Sequence, residues 1–123
     1  MKKLILLLVL STSLFSKLNA QTVNGIPIED IQEKYVEIVV TTKMFKRFKV
    51  DVYLDYGQIS EKKEIKKGYI IGNDGKMMNF NGPMGVLNVL NKKGFNFISK
   101  YRTSLSNIDV HYLLLENMNY KEK

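Results

Sequence analysis

The chain has 123 residues, no cysteine and a formal net charge of +7. This length suits one domain and is too short for two. Without cysteine, the protein has no disulfide, no thiol nucleophile and no thiolate metal site, so hydrophobic burial must stabilise its fold.

Residues 1–20 have the three-part layout of a secretory signal peptide. Two lysines follow Met1, an unbroken apolar run covers residues 4–10, and a more polar stretch ends at Ala20. The apolar run is too short to span a membrane, which takes about 20 residues. We therefore expect export to the periplasm or the extracellular space, with no transmembrane segment after cleavage. The cleaved chain, residues 21–123, would form a single small domain.

Cleavage of this segment would remove three of the 19 basic side chains and leave sixteen basic and twelve acidic ones. The resulting net charge of +4 is a mild basic excess. Such an excess is typical of an ordinary lysine-rich surface and gives only weak attraction to anionic partners.

Two strands are predicted in the first part of the cleaved chain. Residues 21–27 indicate an extended lead-in with a turn at Asn24 and Gly25. Residues 34–43 are rich in β-branched and aromatic side chains, and residues 48–55 alternate between apolar and polar ones. Alternation of this kind predicts a strand with one buried face. We expect the two strands to form an antiparallel hairpin.

A second hairpin is predicted after residues 58–67, a polar, Lys/Glu-rich segment that we interpret as an exposed loop. Residues 68–72 and 76–80 would form its strands, with a tight turn at Asp74 and Gly75. An Asp-Gly pair between two apolar runs is a strong hairpin signal, because glycine accepts a positive φ without steric cost.

One helix is predicted next. Asn81 can cap its start, Pro83 suits its first turn, and Gly94 can end it at the C′ position. The result would be a short amphipathic helix of about three turns. One face of this helix would hold the side chains of Met84, Val86, Leu87, Leu90 and Asn91.

A last pair of strands follows, at residues 95–101 and 108–116. Alternation along the first of them would place Phe95, Phe97 and Tyr101 on one face. The resulting order β-β-β-β-α-β-β predicts an α+β fold. In this fold a mostly antiparallel five- to six-stranded sheet packs against one amphipathic helix.

The C-terminal half of the chain resembles a known family. Residues 86–99 run through helix, glycine, aromatic residue and strand, and residues 112–115 lie in the last strand. This pattern is similar to that of the small bacterial domain of unknown function 4177, in which tryptophan is commoner at the position of Phe95. The chain also resembles short exported proteins common in Bacteroidota, which have counterparts of residues 55–58 and 74–76. The resemblance implies a fold and a compartment and carries no activity.

His111 is the single histidine of the chain, and a general base is the catalytic role open to it. Alternation in the last strand places it opposite Val110 and Tyr112, with Asp109 close in sequence. A structural position on a sheet face is the commoner role for such a residue, and one histidine is too few for an imidazole zinc site. The sequence therefore indicates no catalytic, metal or cofactor site.

Basic and aromatic residues alternate around the end of the first predicted hairpin. Lys46, Arg47 and Lys49 stand here with Phe45 and Phe48. In a cytosolic protein this pattern would suggest single-stranded nucleic acid, but the predicted export makes a nucleic acid an unexpected partner. We therefore interpret Lys46, Arg47 and Lys49 as a candidate contact face for an anionic envelope component, such as a glycan or a phospholipid surface.

Two hypotheses about function follow. The first is an exported, non-catalytic binding module that acts on an envelope component or another exported protein, by sheet-edge pairing or through an exposed aromatic–basic face. The second is a small envelope hydrolase that uses Asp109, His111 and carboxylates from elsewhere. An enzyme needs polar groups that converge in a concave pocket, and the chain offers few of them. The sequence therefore favours the binding module.

Overall fold

The computed structural model describes residues 20–43, 50–58 and 68–123. These residues contain seven strands, one α-helix and two antiparallel sheets, consistent with the predicted α+β class. Three segments lie outside the described residues. They are residues 1–19 of the predicted signal peptide, residues 44–49 with the basic connection of the first hairpin, and residues 59–67 of the polar loop. The elements are β1 (Thr22–Val23), β2 (Ile26–Pro27), β3 (Tyr35–Lys43), β4 (Val50–Asp55), β5 (Ile70–Ile71), α1 (Pro83–Lys92), β6 (Phe95–Leu105) and β7 (Ile108–Asn117).

The larger sheet has four strands in the order β4-β3-β7-β6. It consists of two antiparallel hairpins, β3–β4 and β6–β7, which confirms both predicted pairings. The hairpins join through β3 and β7, which run antiparallel from the Tyr35–Glu116 pair to the Lys43–Ile108 pair. The first and last long strands of the chain therefore lie together at the centre of the sheet.

The smaller sheet has three short strands in the order β2-β1-β5. Its hairpin closes at the predicted turn, where Asn24 and Gly25 have positive φ angles of 52° and 76°. Thr22 and Val23 pair on one side with β2 and on the other with Ile71 and Ile70. The predicted lead-in is thus the central strand and one edge of a second sheet.

The prediction of one five- to six-stranded sheet is wrong in its strand count and order, because the second predicted hairpin contributes no strand to the main sheet and meets it at the isolated bridge between Tyr69 and Tyr53. Only Ile70 and Ile71 of its first strand are in β5, and its second strand is reduced to a single bridge from Ile71 to Met77. The Asp74 side chain does hold the tight turn, by accepting the Lys76 N–H at 3.0 Å. The predicted second strand, residues 76–80, contains Asn79, and asparagine is a poor strand former.

Helix α1 agrees with the prediction at its end and differs at its start. Pro83 occupies the first turn as expected, but Gly82 is the N-cap, and no side chain caps the helix, so the prediction for Asn81 is wrong. Gly94 follows the C-cap with a φ of 93°, as predicted for the C′ position. A Cβ here would also collide with the side chain of Asn119, so glycine fits on both grounds.

The core lies between one face of the main sheet, helix α1 and the N-terminal arm, which we define as residues 21–34. Of the predicted helix face, Val86 and Leu90 are fully buried. Met84 is 59% exposed, against the prediction, because it lies two residues, or roughly 200°, round the helix from Val86. The core residues are Val23, Ile28, Ile31, Val36, Ile38, Val40, Val52, Leu54, Ile70, Phe80, Val86, Leu90, Phe95, Leu113 and Leu115.

Asn117 at the end of β7 is the buried polar residue of the described chain. Its side-chain amide donates to the carbonyl oxygens of Ile31 at 2.9 Å and Glu33 at 3.1 Å. Its side-chain oxygen accepts the Asn119 N–H at 3.0 Å, and its own N–H donates to the Lys34 carbonyl at 2.7 Å. The residue thus satisfies its own polar groups and fastens the N-terminal arm to the main sheet.

Truncating Leu90 to alanine should lower the free energy of unfolding by roughly 2–5 kcal/mol, because the side chain leaves a cavity in the core. The matched control is Met84→Ala on the exposed side of the same helix, which should cost within about 0.5 kcal/mol. Urea unfolding of both variants is the measurement. Equal costs would show that the helix does not dock through Leu90.

Asn117→Asp should destabilise the protein by roughly 2–4 kcal/mol, because it removes two donors and directs a buried carboxylate at two carbonyl oxygens. Asn88→Asp, at an exposed position of helix α1, introduces the same charge and should have little effect. Thermal unfolding followed by circular dichroism compares the two. A similar loss in both variants would contradict the role assigned to Asn117.

Candidate functional site

The main sheet buries one face and leaves the other open to solvent. Its core residues all lie on the first face, whereas side chains on the second face are exposed or half-buried, apart from Val39. We call the second one the open face. An open sheet face with large apolar side chains is a natural place to look for a binding surface.

Three tyrosines and one valine form a cross-strand row on the open face. Val39 pairs with Tyr53 on one side and with Tyr112 on the other, and Tyr112 pairs in turn with Tyr101. The row Tyr53–Val39–Tyr112–Tyr101 therefore crosses all four strands in register. We call it the tyrosine row.

The rings of the tyrosine row are ordered by one another. Tyr101 and Tyr112 stack with ring centroids 4.5 Å apart and planes inclined by 8°. Val39 is only 3% exposed although it lies outside the main core, because large side chains flank it on both sides. Tyr101, at the outer end, is 54% exposed. The row thus presents pre-arranged aromatic surface.

A β-bulge places Tyr101 in this row. Phe97 pairs with Leu115, but Ser99 already pairs with Leu114, so Ile98 is an extra residue in β6. One extra residue reverses which face the following side chains point to. The predicted common face for Phe95, Phe97 and Tyr101 is therefore wrong, since only the two phenylalanines lie on the core side.

Two carboxylates lie beside the tyrosine row. Glu37 and Asp55 are direct cross-strand partners, and neither forms an ion pair with another described residue. Partial burial, and then the charge of Asp55, raise the pKa of Glu37. Burial is also the largest cause that raises the pKa of Tyr53, followed by Tyr112 and the two carboxylates. This part of the open face is therefore acidic as well as aromatic.

A shallow depression of about 170 Å³ adjoins the same face. Tyr53 contributes to its wall, which extends the aromatic surface toward the outer edge of β4. The depression is lined by Thr41, Lys43, Asp51, Tyr53 and Tyr69.

His111 lies on the core side of β7, in the cross-strand row between Val40 and Arg102. Its Nδ1 is buried, with no hydrogen-bond partner among the described residues. The Asp109 carboxylate accepts instead from Arg102 at 2.8 Å and from Ser104 at 2.7 Å, and these two hydrogen bonds are the main causes that lower its pKa. Within the described part of the chain, therefore, no carboxylate is bonded to His111 to orient it as a general base.

The predicted anion-contact residues Lys46, Arg47 and Lys49 lie outside the described residues. Their described neighbours, Lys43 and Val50, stand at the end of the main sheet where β6 turns into β7, since Lys43 pairs with Ile108. The exposed aromatic surface that the structure describes is accompanied by acidic side chains. Its charge is thus opposite in sign to that of the predicted aromatic–basic face.

The tyrosine row is the feature that reasoning from sequence missed. Alternation placed Tyr53 and Tyr112 on strand faces, but it could not say that β3 separates their strands.

Within the described residues, no group of three or more His, Cys, Asp or Glu side chains is arranged to hold a metal ion. No helix in the described ranges has the length and apolar character needed to cross a membrane.

Comparison of the chain with models of protein families, with curated proteins and with solved structures finds no match. The resemblance to the domain of unknown function 4177 and to short exported Bacteroidota proteins stays a prediction.

The protein should lose stability as the pH is lowered, because of His111. Burial, followed by the charges of Lys100 and Arg102, lowers the pKa of His111 from 6.5, and Asp109 opposes this. Below about pH 6.5 the unfolded chain therefore binds more protons at this residue than the folded protein, so stability is lost as pH falls. Urea unfolding at about pH 7.5 and 5.5 should show a smaller loss in His111→Leu than in the original protein.

Removing the neighbouring charge tests the cause of this shift. Lys100→Gln should raise the pKa of His111, measured by NMR titration of its ring protons, because it removes a like charge. Lys76→Gln, at an exposed turn, should leave that pKa in place. An unchanged pKa in Lys100→Gln would contradict this electrostatic explanation.

Proposed function

We propose that this chain is a small exported, non-catalytic module that binds another protein through the tyrosine row. The observation that carries the proposal is the ordered, partly exposed row of three tyrosines on the sheet face opposite the core. Export rests on the signal-peptide pattern of residues 1–20. The remaining support comes from the tyrosine rings of the row and from the two carboxylates beside it.

Tyrosine suits a protein interface because its ring offers a large apolar area and its hydroxyl group keeps a polar end. Residues of this type are enriched among those that dominate binding energy. The stacked Tyr101 and Tyr112 rings restrict each other before any partner arrives, which reduces the entropy lost on binding. These properties favour recognition of a protein over adsorption to a charged surface.

The carboxylates beside the row favour a partner with cationic side chains. Glu37 on β3 and Asp55 on β4 are direct cross-strand partners, and neither forms an ion pair with a described lysine or arginine. Two like charges in this position repel each other. A lysine or arginine from the partner would relieve that repulsion. Its aliphatic stem would pack against the exposed Tyr101 ring, while its charge contacts the tyrosine rings and Glu37.

The hydrolase hypothesis receives no comparable support. Asp109 is engaged by Arg102 and Ser104, and His111 has no hydrogen bond to any described group. A nucleophile–base–carboxylate arrangement needs these groups bonded to one another. The binding module is therefore the function that the described geometry supports best.

An arginine-rich synthetic peptide is a suitable probe for the proposed site. NMR titration of the protein should shift the signals of Glu37 and the three tyrosine rings, because these groups form the proposed contact. The double substitution Tyr101→Ser/Tyr112→Ser should weaken binding at least about fivefold, as loss of central interface aromatics does. Tyr120→Ser replaces a tyrosine outside the row and should not change the affinity.

Two results would contradict the proposal. The first is equal binding of an arginine-rich and a glutamate-rich peptide to the original protein. The second is binding of anionic phospholipid vesicles that persists in the double variant but is lost in Lys46→Glu/Arg47→Glu. The second result would transfer the function to the basic segment predicted from the sequence.

A further inference from the structure

Strand β6 is an outer edge of the main sheet and is long for an edge strand. It spans 11 residues, and no other described strand pairs with its outer side. Three of its apolar side chains are about half exposed: Phe97 at 47%, Ile98 at 46% and Tyr101 at 54%. A long edge with exposed apolar side chains is a template for pairing with another strand.

The opposite edge of the sheet is partly closed by the chain itself. Tyr69 forms a bridge with Tyr53 of β4, and the Leu54 N–H donates to the Gly68 carbonyl oxygen at 2.7 Å. A Cβ at Gly68 would collide with the Leu54 carbonyl oxygen, so glycine permits this close approach. Among the described residues, the chain thus covers part of β4 but adds no strand to the outer side of β6.

The backbone groups on the free edge can be assigned from the hairpin. Leu105 and Ile108 pair directly across a two-residue turn, which makes them a hydrogen-bonded pair, and bonding alternates along the strand from there. The N–H and C=O groups of Ser104, Arg102 and Lys100 therefore point away from the sheet. These three residues offer a row of donors and acceptors to an incoming strand.

The charges on β6 determine what kind of strand fits. Lys100 and Arg102 lie on the core-side face of β6, and β6 has no acidic residue on that face. Arg102 forms an ion pair with Asp109, whereas Lys100 forms none with a described residue. A second copy of β6 would bring two more cations against these two. A strand with acidic side chains on that face would neutralise them instead, since opposite charges stabilise cross-strand pairs.

We propose that the free edge of β6 accepts an extended segment of a partner protein by strand addition. The segment is acidic on the side that faces Lys100 and Arg102, and β-branched or aromatic on the side that faces Tyr101. This contact is separate from the binding of cations by the tyrosine row, because it uses the backbone of β6 and the opposite face of the sheet. Tyr101 is where the two surfaces adjoin.

A short synthetic peptide in which Glu and Val alternate is the probe. Amide hydrogen exchange followed by NMR should slow at Lys100, Arg102 and Ser104 when the peptide is added, because their N–H groups become bonded. Lys100→Glu and Lys100→Glu/Arg102→Glu should weaken binding by about tenfold or more. The double variant should in turn bind a peptide in which Lys and Val alternate.

The matched control is Lys76→Glu/Lys121→Glu, which makes the same change in net charge at exposed positions off the edge. It should bind the Glu–Val peptide like the original protein. Protection that appears elsewhere, or equal binding to all variants, would overturn the proposal. Dimers of the original protein that protect the same three amides would overturn it as well, because the occupant would then be a second copy. These outcomes do not depend on whether the tyrosine row binds the arginine-rich peptide, so the two proposals can fail separately.

Discussion

One-sided burial of a four-stranded sheet is the constraint on which this structure depends. With no cysteine in the chain, apolar packing has to hold the fold together. One helix and the N-terminal arm are enough to cover a single face of the sheet, and Val86 and Leu90 are the fully buried contribution of that helix. The other face is left open. Any function that uses the broad surface of the sheet must therefore use the open face.

The joint between the two hairpins makes this arrangement possible. β3 and β7 come from distant parts of the chain and meet at the centre of the sheet, so each is paired on both sides only when the two hairpins come together. Asn117 strengthens the joint by bonding to the carbonyl oxygens of Ile31 and Glu33. A buried amide with every partner in place specifies one position for the arm, which an apolar side chain would not do.

The open face and the free edge of β6 are neighbouring but chemically different surfaces. The first is aromatic and acidic around Glu37, and the second offers backbone groups with Lys100 and Arg102 on the far side. Tyr101 belongs to both of them because the bulge at Ile98 turns it toward the open face. A partner that used both proposed surfaces would carry acidic side chains opposite Lys100 and Arg102 and basic ones near Glu37.

Local sequence signals determined the individual elements, and only the tertiary structure decided how their faces combine. The hairpins, the end of the helix at Gly94 and the alternation around Val52 follow from backbone preferences and periodicity, which act over a few residues. Strand order and the bulge at Ile98 depend on packing between segments far apart in the chain. For that reason the sequence placed Tyr101 with the core phenylalanines and could not bring Tyr53 and Tyr112 into one row.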